Sequence, residues 1–124
     1  MPVALNPPAE LYCVEIRTHQ WEAMLHWYRT VLGLRVLVRV VEDRYALLSA
    51  GGMRLALLGN DQPGEATPRW RLVLEVPDLE VASARLTESA AISSVPRPHA
   101  EGWSELVTQD PDGNSIRLFA WPKR

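Results

Sequence analysis

The feature that most constrains the fold is an internal repeat of about 60 residues. Gln20 and Asp78, which are predicted to open two helices, stand 58 residues apart. Gly52 and Gly113, each in a turn before the last strand of its half, stand 61 residues apart. A duplication with a small insertion accounts for both spacings. Each copy contains a strand, a helix and three further strands, so the sequence predicts an α+β fold of two βαβββ modules.

The elements of the first module are predicted from apolar periodicity. Trp21, Met24 and Leu32 recur at helical spacing, and Gly33 stands where a glycine often ends a helix. Alternating, β-prone stretches bounded by turn residues predict the strands. The helix is expected within residues 20–34, and the strands are expected at residues 11–18, 34–41, 44–50 and 53–59.

The second module repeats this order after a polar linker at residues 60–69. Asp78 is a favourable N-cap, and Asp112-Gly113 is the strongest hairpin signal in the chain. The helix is expected at 79–89, a weak strand within 91–98, and stronger strands at 70–76, 103–109 and 114–121. Residues 1–124 are thus predicted to form one domain, with module 1 at about 11–59 and module 2 at about 70–121.

Composition excludes several classes of function. The net charge of −2 gives no electrostatic footprint for nucleic acid, and no basic run or long apolar stretch suggests a membrane. Cys13 is the only cysteine, so an intrachain disulfide is impossible. The first residues lack the pattern of a signal peptide. We therefore expect a cytoplasmic protein that binds neither nucleic acid nor membrane.

Two motifs in this duplicated layout resemble those of the vicinal-oxygen-chelate superfamily, which includes glyoxalase I, bleomycin-resistance proteins and extradiol dioxygenases. The motifs are Trp27-Tyr28 with Leu32-Gly33 near the end of the first helix, and Asp110-Pro111-Asp112-Gly113-Asn114 before the last strand. The resemblance covers about residues 11–121. It implies a curled, mixed or antiparallel sheet around a ligand cleft, and a homodimer. Helix packing and turn geometry suffice to explain both motifs, so neither is predicted to carry chemistry.

The resemblance also implies where a divalent metal would bind. Enzymes of the superfamily take His, Glu or Gln ligands from the first and last strand of each module. The corresponding positions here hold Cys13, Ala56, Arg71 and Arg117. Alanine has no ligand atom, and the two guanidinium groups would repel a dication. Shifting the strand register by one or two residues yields no set of three ligands, so no cofactor is expected.

Two metal-dependent alternatives remain open. A lyase, isomerase or dioxygenase of the superfamily could hold Ni, Zn, Fe or Mn through residues placed in a different register. His19, Glu22 and His26 also share one helical stripe if the first helix begins early. A solvated helix face with two ordinary histidines explains the second pattern more simply.

Strand alternation places a mixed set of side chains on the face away from the helices. The residues predicted to bind a ligand there are Cys13, Glu15, Arg54, Arg71, Glu75, Arg117, Phe119 and Trp103. Buried charges need partners, so Arg71 and Arg117 are expected to pair with Glu15, with Glu75 or with a ligand. An internal salt-bridge network and an anion pocket both fit this pattern, and the pocket is favoured.

The sequence therefore favours a binding protein over an enzyme. The predicted function is metal-free binding of a small anionic or aromatic molecule in a cleft. Bleomycin is cationic, and the basic cleft argues against it as the ligand. No residue is predicted to be catalytic, because no histidine is placed to activate Cys13. The second hypothesis is the metal-dependent enzyme, and the third is a structural domain whose own side chains fill the cleft.

Overall fold

The structure is a computed structural model that describes residues 2–60, 62–64 and 69–122. Both halves show the predicted order of one strand, one helix and three strands. The first half contains β1 (Val14–Thr18), α1 (Trp21–Thr30), β2 (Arg35–Val40), β3 (Tyr45–Ala50) and β4 (Met53–Gly59). The second half contains β5 (Leu72–Glu75), α2 (Leu79–Glu88), β6 (Arg97–Pro98), β7 (Ser104–Gln109) and β8 (Ser115–Ala120).

The strands form two four-stranded mixed sheets with equivalent topology. Their orders are β1-β4-β3-β2 and β5-β8-β7-β6, so the first strand of each module is an edge strand. β1 runs parallel to β4 and β5 runs parallel to β8, whereas the other pairs are antiparallel. Val14 lies opposite Leu55, and Leu72 lies opposite Ile116. These positions differ by the same 58 and 61 residues, which confirms the predicted fold class.

The weak strand predicted within residues 91–98 is shorter than expected. β6 contains only Arg97 and Pro98, and a separate bridge joins Ser93 to Thr108. Proline has no backbone N–H to donate to a sheet, so Pro96 and Pro98 limit pairing along this edge. β1 also begins at Val14, three residues later than predicted.

The helix ends follow the predicted signals. The Asp78 carboxylate accepts hydrogen bonds from the backbone N–H groups of Glu80 and Val81 and so caps α2. Gly33 has φ +73°, and the following N–H of Leu34 donates to the carbonyl of Tyr28. Neither helix in the described part of the chain has the length and apolar composition needed to cross a membrane.

The apolar faces of both sheets meet the helices in one core. Leu55 and Leu57 of β4 and Ile116 and Leu118 of β8 are buried together with residues of both helices. This confirms the apolar face that alternation predicts. Ala56 is also buried, but it lies outside this core cluster because its side chain belongs to the opposite face of β4.

The two sequence motifs meet at a buried carboxylate. The Tyr28 hydroxyl donates to Oδ2 of Asp110 at 2.7 Å, and Asp110 is 4% exposed. Asp110 also accepts hydrogen bonds from the backbone N–H groups of Asp112 and Asn114 and from the Asn114 amide. Burial, reinforced by the Asp110 carboxylate, raises the pKa of the Tyr28 hydroxyl, which therefore stays protonated as the donor. The motifs thus join module 1 to the turn of module 2.

A contact between Gly59 and Arg44 gives a stability prediction. A Cβ at Gly59 would lie 2.5 Å from the Cβ of Arg44, whereas a Cβ at Gly52 meets nothing within 4 Å. We expect Gly59→Ala to lower the free energy of unfolding by about 1–3 kcal/mol through overpacking. Gly52→Ala is the matched control, and urea denaturation measures both variants. Equal stability of the two variants would contradict the steric account.

Candidate ligand-binding site

The positions that would hold the metal carry the wrong side chains. Ala56 lies opposite Glu15 in the β1–β4 pair, and Arg117 lies opposite Val73 in the β5–β8 pair. Ala56 is fully buried and has no ligand atom. Among the described residues, no group of three or more His, Cys, Asp or Glu side chains is placed to hold a metal ion. The donor set at these positions therefore does not fit a divalent metal, and His19, Glu22 and His26 form no such group.

Arg117 has a different partner from those predicted. Its Nη1 lies 3.4 Å from Oε2 of Glu105 on β7, rather than pairing with Glu15 or Glu75. The cause is strand order, because β7 is the antiparallel neighbour of β8 and brings Glu105 opposite Phe119, two residues from Arg117. The other Glu105 oxygen lies 4.0 Å from Nε2 of His99. Arg117 is therefore electrically compensated within module 2.

His99 is held in one orientation on the same face. Its Nδ1 accepts a hydrogen bond from the backbone N–H of Glu101 at 3.1 Å. In the neutral ring this leaves the proton on Nε2, the atom that faces Glu105. The ring also stacks on Trp103, with centroids 4.1 Å apart and planes 14° from parallel. Sequence reasoning interpreted His99 as an exposed loop residue, whereas the structure half-buries it against this cluster.

The predicted aromatic residues pack against one another. Trp103 makes edge contacts with Phe119 and Trp121, and Phe119 makes an edge contact with Trp121. The Nε1 of Trp103 and the Nε of Arg117 are buried and have no hydrogen-bond partner among the described residues. Phe119 and Trp103 therefore lie on the predicted face, but mainly as a packed cluster beside the Arg117–Glu105 pair.

Arg71 is the predicted site residue that borders the most open space. It is exposed, lies immediately before β5 and forms no ion pair with any described residue. It lines a polar cavity of about 440 Å³ together with Arg97, His99 and Glu105. It also lines two mainly apolar cavities, of about 440 and 270 Å³, between the modules. Three cavities therefore converge on one uncompensated guanidinium group.

The other predicted residues surround this position. Glu15 lines the smaller apolar cavity, whereas Arg54 and Glu75 line the larger one. The Arg54 guanidinium carbon lies 4.6 Å from the centroid of the Tyr12 ring, an arrangement typical of a cation–π contact. Cys13 is a half-buried free thiol, immediately before β1. No described residue hydrogen-bonds to it, so no base is placed to activate it.

A comparison of the sequence with known families decides the family. A profile of the Glyoxalase/Bleomycin resistance protein/Dioxygenase superfamily matches residues 11–118. The chain belongs to this superfamily. No curated protein matches the chain. The profile thus confirms the resemblance based on the Trp27-Tyr28 and Asp110–Asn114 motifs.

Solved structures of superfamily members share the fold at low sequence identity. A glyoxalase family protein from Enterococcus faecalis is 22% identical with a TM-score of 0.72, covering 89% of this chain and 96% of its own. Lactoylglutathione lyase from Agrobacterium tumefaciens is 15% identical with a TM-score of 0.71, covering 92% and 95%. The fosfomycin resistance protein FosX from Mesorhizobium loti is 15% identical with a TM-score of 0.72, covering 91% and 92%. At these identities the comparison establishes the fold alone.

Three residues at this superfamily member's site were missed at the sequence level. Glu105, His99 and Arg97 come together at the polar cavity. A signal for Glu105 existed, because alternation along β7 places Trp103, Glu105 and Val107 on one face. No comparable signal existed for Arg97 and His99, since proline-rich segments have no regular periodicity.

Proposed function

We propose that this superfamily member binds a small anionic molecule at Arg71, without a metal ion. The observation that carries the proposal is the uncompensated guanidinium group of Arg71 at the junction of three cavities. A guanidinium group binds carboxylate or phosphate oxygens through two parallel hydrogen bonds. The proposal transfers the main anion-binding role from Arg117, which Glu105 compensates, to Arg71.

The charges around Arg71 favour an anion over a cation. Arg97 lines the polar cavity with Arg71, and Arg54 lines the larger apolar cavity with it. Glu105, the acidic residue of the polar cavity, is already paired with Arg117 and lies near His99. A ligand carboxylate or phosphate near Arg71 therefore meets an excess of positive charge.

A thermal-shift screen with inorganic phosphate, acetate and benzoate tests this proposal. An anion that binds only the folded state raises the melting temperature in proportion to its occupancy. Wild-type protein and Arg35→Met, which removes an exposed arginine on β2 of module 1, are expected to be stabilised by at least one of these anions. Arg71→Met is expected to lose that stabilisation. Equal shifts in all three proteins would overturn the assignment.

The metal-free state gives a separate prediction. We expect protein purified without added metal to contain only substoichiometric Ni, Zn, Fe and Mn by inductively coupled plasma mass spectrometry. The reason is that Ala56, Arg71 and Arg117 occupy three of the four implied ligand positions. One equivalent of any of these metals would favour the alternative, a metal-dependent lyase, isomerase or dioxygenase.

We also propose that two copies of the chain form a homodimer. Apolar side chains remain 40–44% exposed on strands or strand edges of both modules, namely Leu37, Val38, Met53 and Val73. A second copy would remove this surface from water. Size-exclusion chromatography with light scattering is expected to give twice the chain mass of 14.0 kDa. A mass of one chain at micromolar concentration would contradict the dimer.

A further inference from the structure

The larger apolar cavity runs between the two modules, and we call it the seam cavity. It follows the unpaired edge of β5, because six consecutive residues from Arg71 to Val76 line it. Its opposite wall comes from module 1 and includes Val14 of β1 and Leu55 of β4. Side chains of both sheet faces line the same space, so the cavity passes from the charged face toward the helix-packing side.

The two ends of the lining differ in polarity. Arg54 and Arg71 contribute two guanidinium groups, whereas Leu72, Leu74 and Leu118 contribute apolar side chains from the helix-packing face. Glu75 is the one acidic residue of the described lining, and it stands four residues beyond Arg71. That separation is about 13 Å along a strand, so Glu75 does not neutralise the guanidinium of Arg71.

From this arrangement we infer that the ligand class is an amphipathic monoanion, such as a medium-chain alkyl carboxylate. Its carboxylate binds Arg71 and Arg54, and its apolar chain lies in the seam cavity. The volume of about 440 Å³ falls within the range of small-molecule sites. Charge complementarity at one end and apolar lining at the other select this occupant. The inference rests on the proposed anion site at Arg71 and adds the chemistry of the rest of the ligand.

Isothermal titration calorimetry with butanoate, hexanoate and octanoate tests the inference on the wild-type chain. Each added methylene that enters the cavity is expected to raise the affinity about fourfold, as about 0.8 kcal/mol per buried methylene implies. Hexanoate is expected to bind at least about tenfold more tightly than hexan-1-ol, because only the carboxylate forms charge-assisted hydrogen bonds. Arg71→Met is expected to remove this difference.

Two cavity-filling variants locate the alkyl chain. Val14→Phe and Leu74→Phe each place an aromatic ring in the seam cavity, and either one suffices if the other misfolds. Both are expected to retain butanoate binding and to lose the gain from longer chains. Ile92→Phe is the matched control, because Ile92 is 68% exposed and lies outside this cavity. Circular dichroism confirms that each variant is folded.

The outcomes separate this inference from the proposed function. Equal affinity for all chain lengths, with binding still dependent on Arg71, would overturn the amphipathic ligand and leave the anion site intact. Equal binding of hexanoate and hexan-1-ol would overturn the carboxylate assignment. Absence of binding by every carboxylate and by phosphate would overturn both proposals.

Discussion

Replacing Asp110 with alanine is expected to lower the free energy of unfolding by about 3–5 kcal/mol. The Asp110 carboxylate is buried and accepts four hydrogen bonds. Two of the donors are the backbone N–H groups of Asp112 and Asn114, which shape the turn. Removing the acceptor leaves these donors and the Tyr28 hydroxyl without partners at the junction of the two modules.

Tyr28→Phe provides a graded comparison. It removes one hydrogen bond to a carboxylate and leaves the turn contacts intact, so the expected loss is about 1.5–3 kcal/mol. The double variant Tyr28→Phe with Asp110→Ala is expected to lose less than the sum of the two single losses, because both act on one contact.

Urea denaturation followed by circular dichroism measures these losses. Asp43→Ala is the matched control, since Asp43 is exposed in the turn between β2 and β3 and is expected to change stability by no more than about 0.5 kcal/mol. An Asp110→Ala variant as stable as Asp43→Ala would show that the motif turn does not depend on its buried carboxylate.

Arg71→Met is expected to weaken binding of the stabilising anion about 10- to 150-fold. This range corresponds to about 1.5–3 kcal/mol for hydrogen bonds to a charged group. Methionine retains an unbranched apolar side chain and removes the guanidinium donors, so the change isolates their contribution. Arg71 forms no ion pair with a described residue, and its loss therefore strands no protein carboxylate.

The measurement is isothermal titration calorimetry at fixed ionic strength. Arg35→Met changes the net charge by the same amount and controls for long-range electrostatics. It is expected to bind within about twofold of wild type, because the effect of a distant exposed charge is screened by salt. Equal weakening in both variants would show that net charge, rather than the position of Arg71, governs affinity.

The sequence predicted the fold well because its signals are local. Apolar periodicity located both helices, and Asp112-Gly113 located the last hairpin. The spacing of the duplicated markers then specified that β4 and β8 are equivalent strands. The contact between Tyr28 and Asp110 was outside its reach, since these residues are 82 positions apart and local patterns do not encode their distance.

The candidate site was only partly predictable. Alternation placed Arg71 and Arg117 on the correct face, because side-chain direction along a strand is fixed. The partner of Arg117 depended on which strand lies beside β8, and β7 supplied Glu105. The cavities at Arg71 depend on how the unpaired edges of β1 and β5 lie relative to each other. That relationship is tertiary and leaves no periodic signal in the sequence.

A crystal structure of the protein grown with 4-iodobenzoate tests the central claim most directly. The anomalous signal of iodine marks the ring, and the electron density of the complex shows the position of the carboxylate. We predict a carboxylate within hydrogen-bond distance of the Arg71 guanidinium group. At millimolar ligand, a carboxylate bound away from Arg71, or unoccupied cavities around it, would contradict the account.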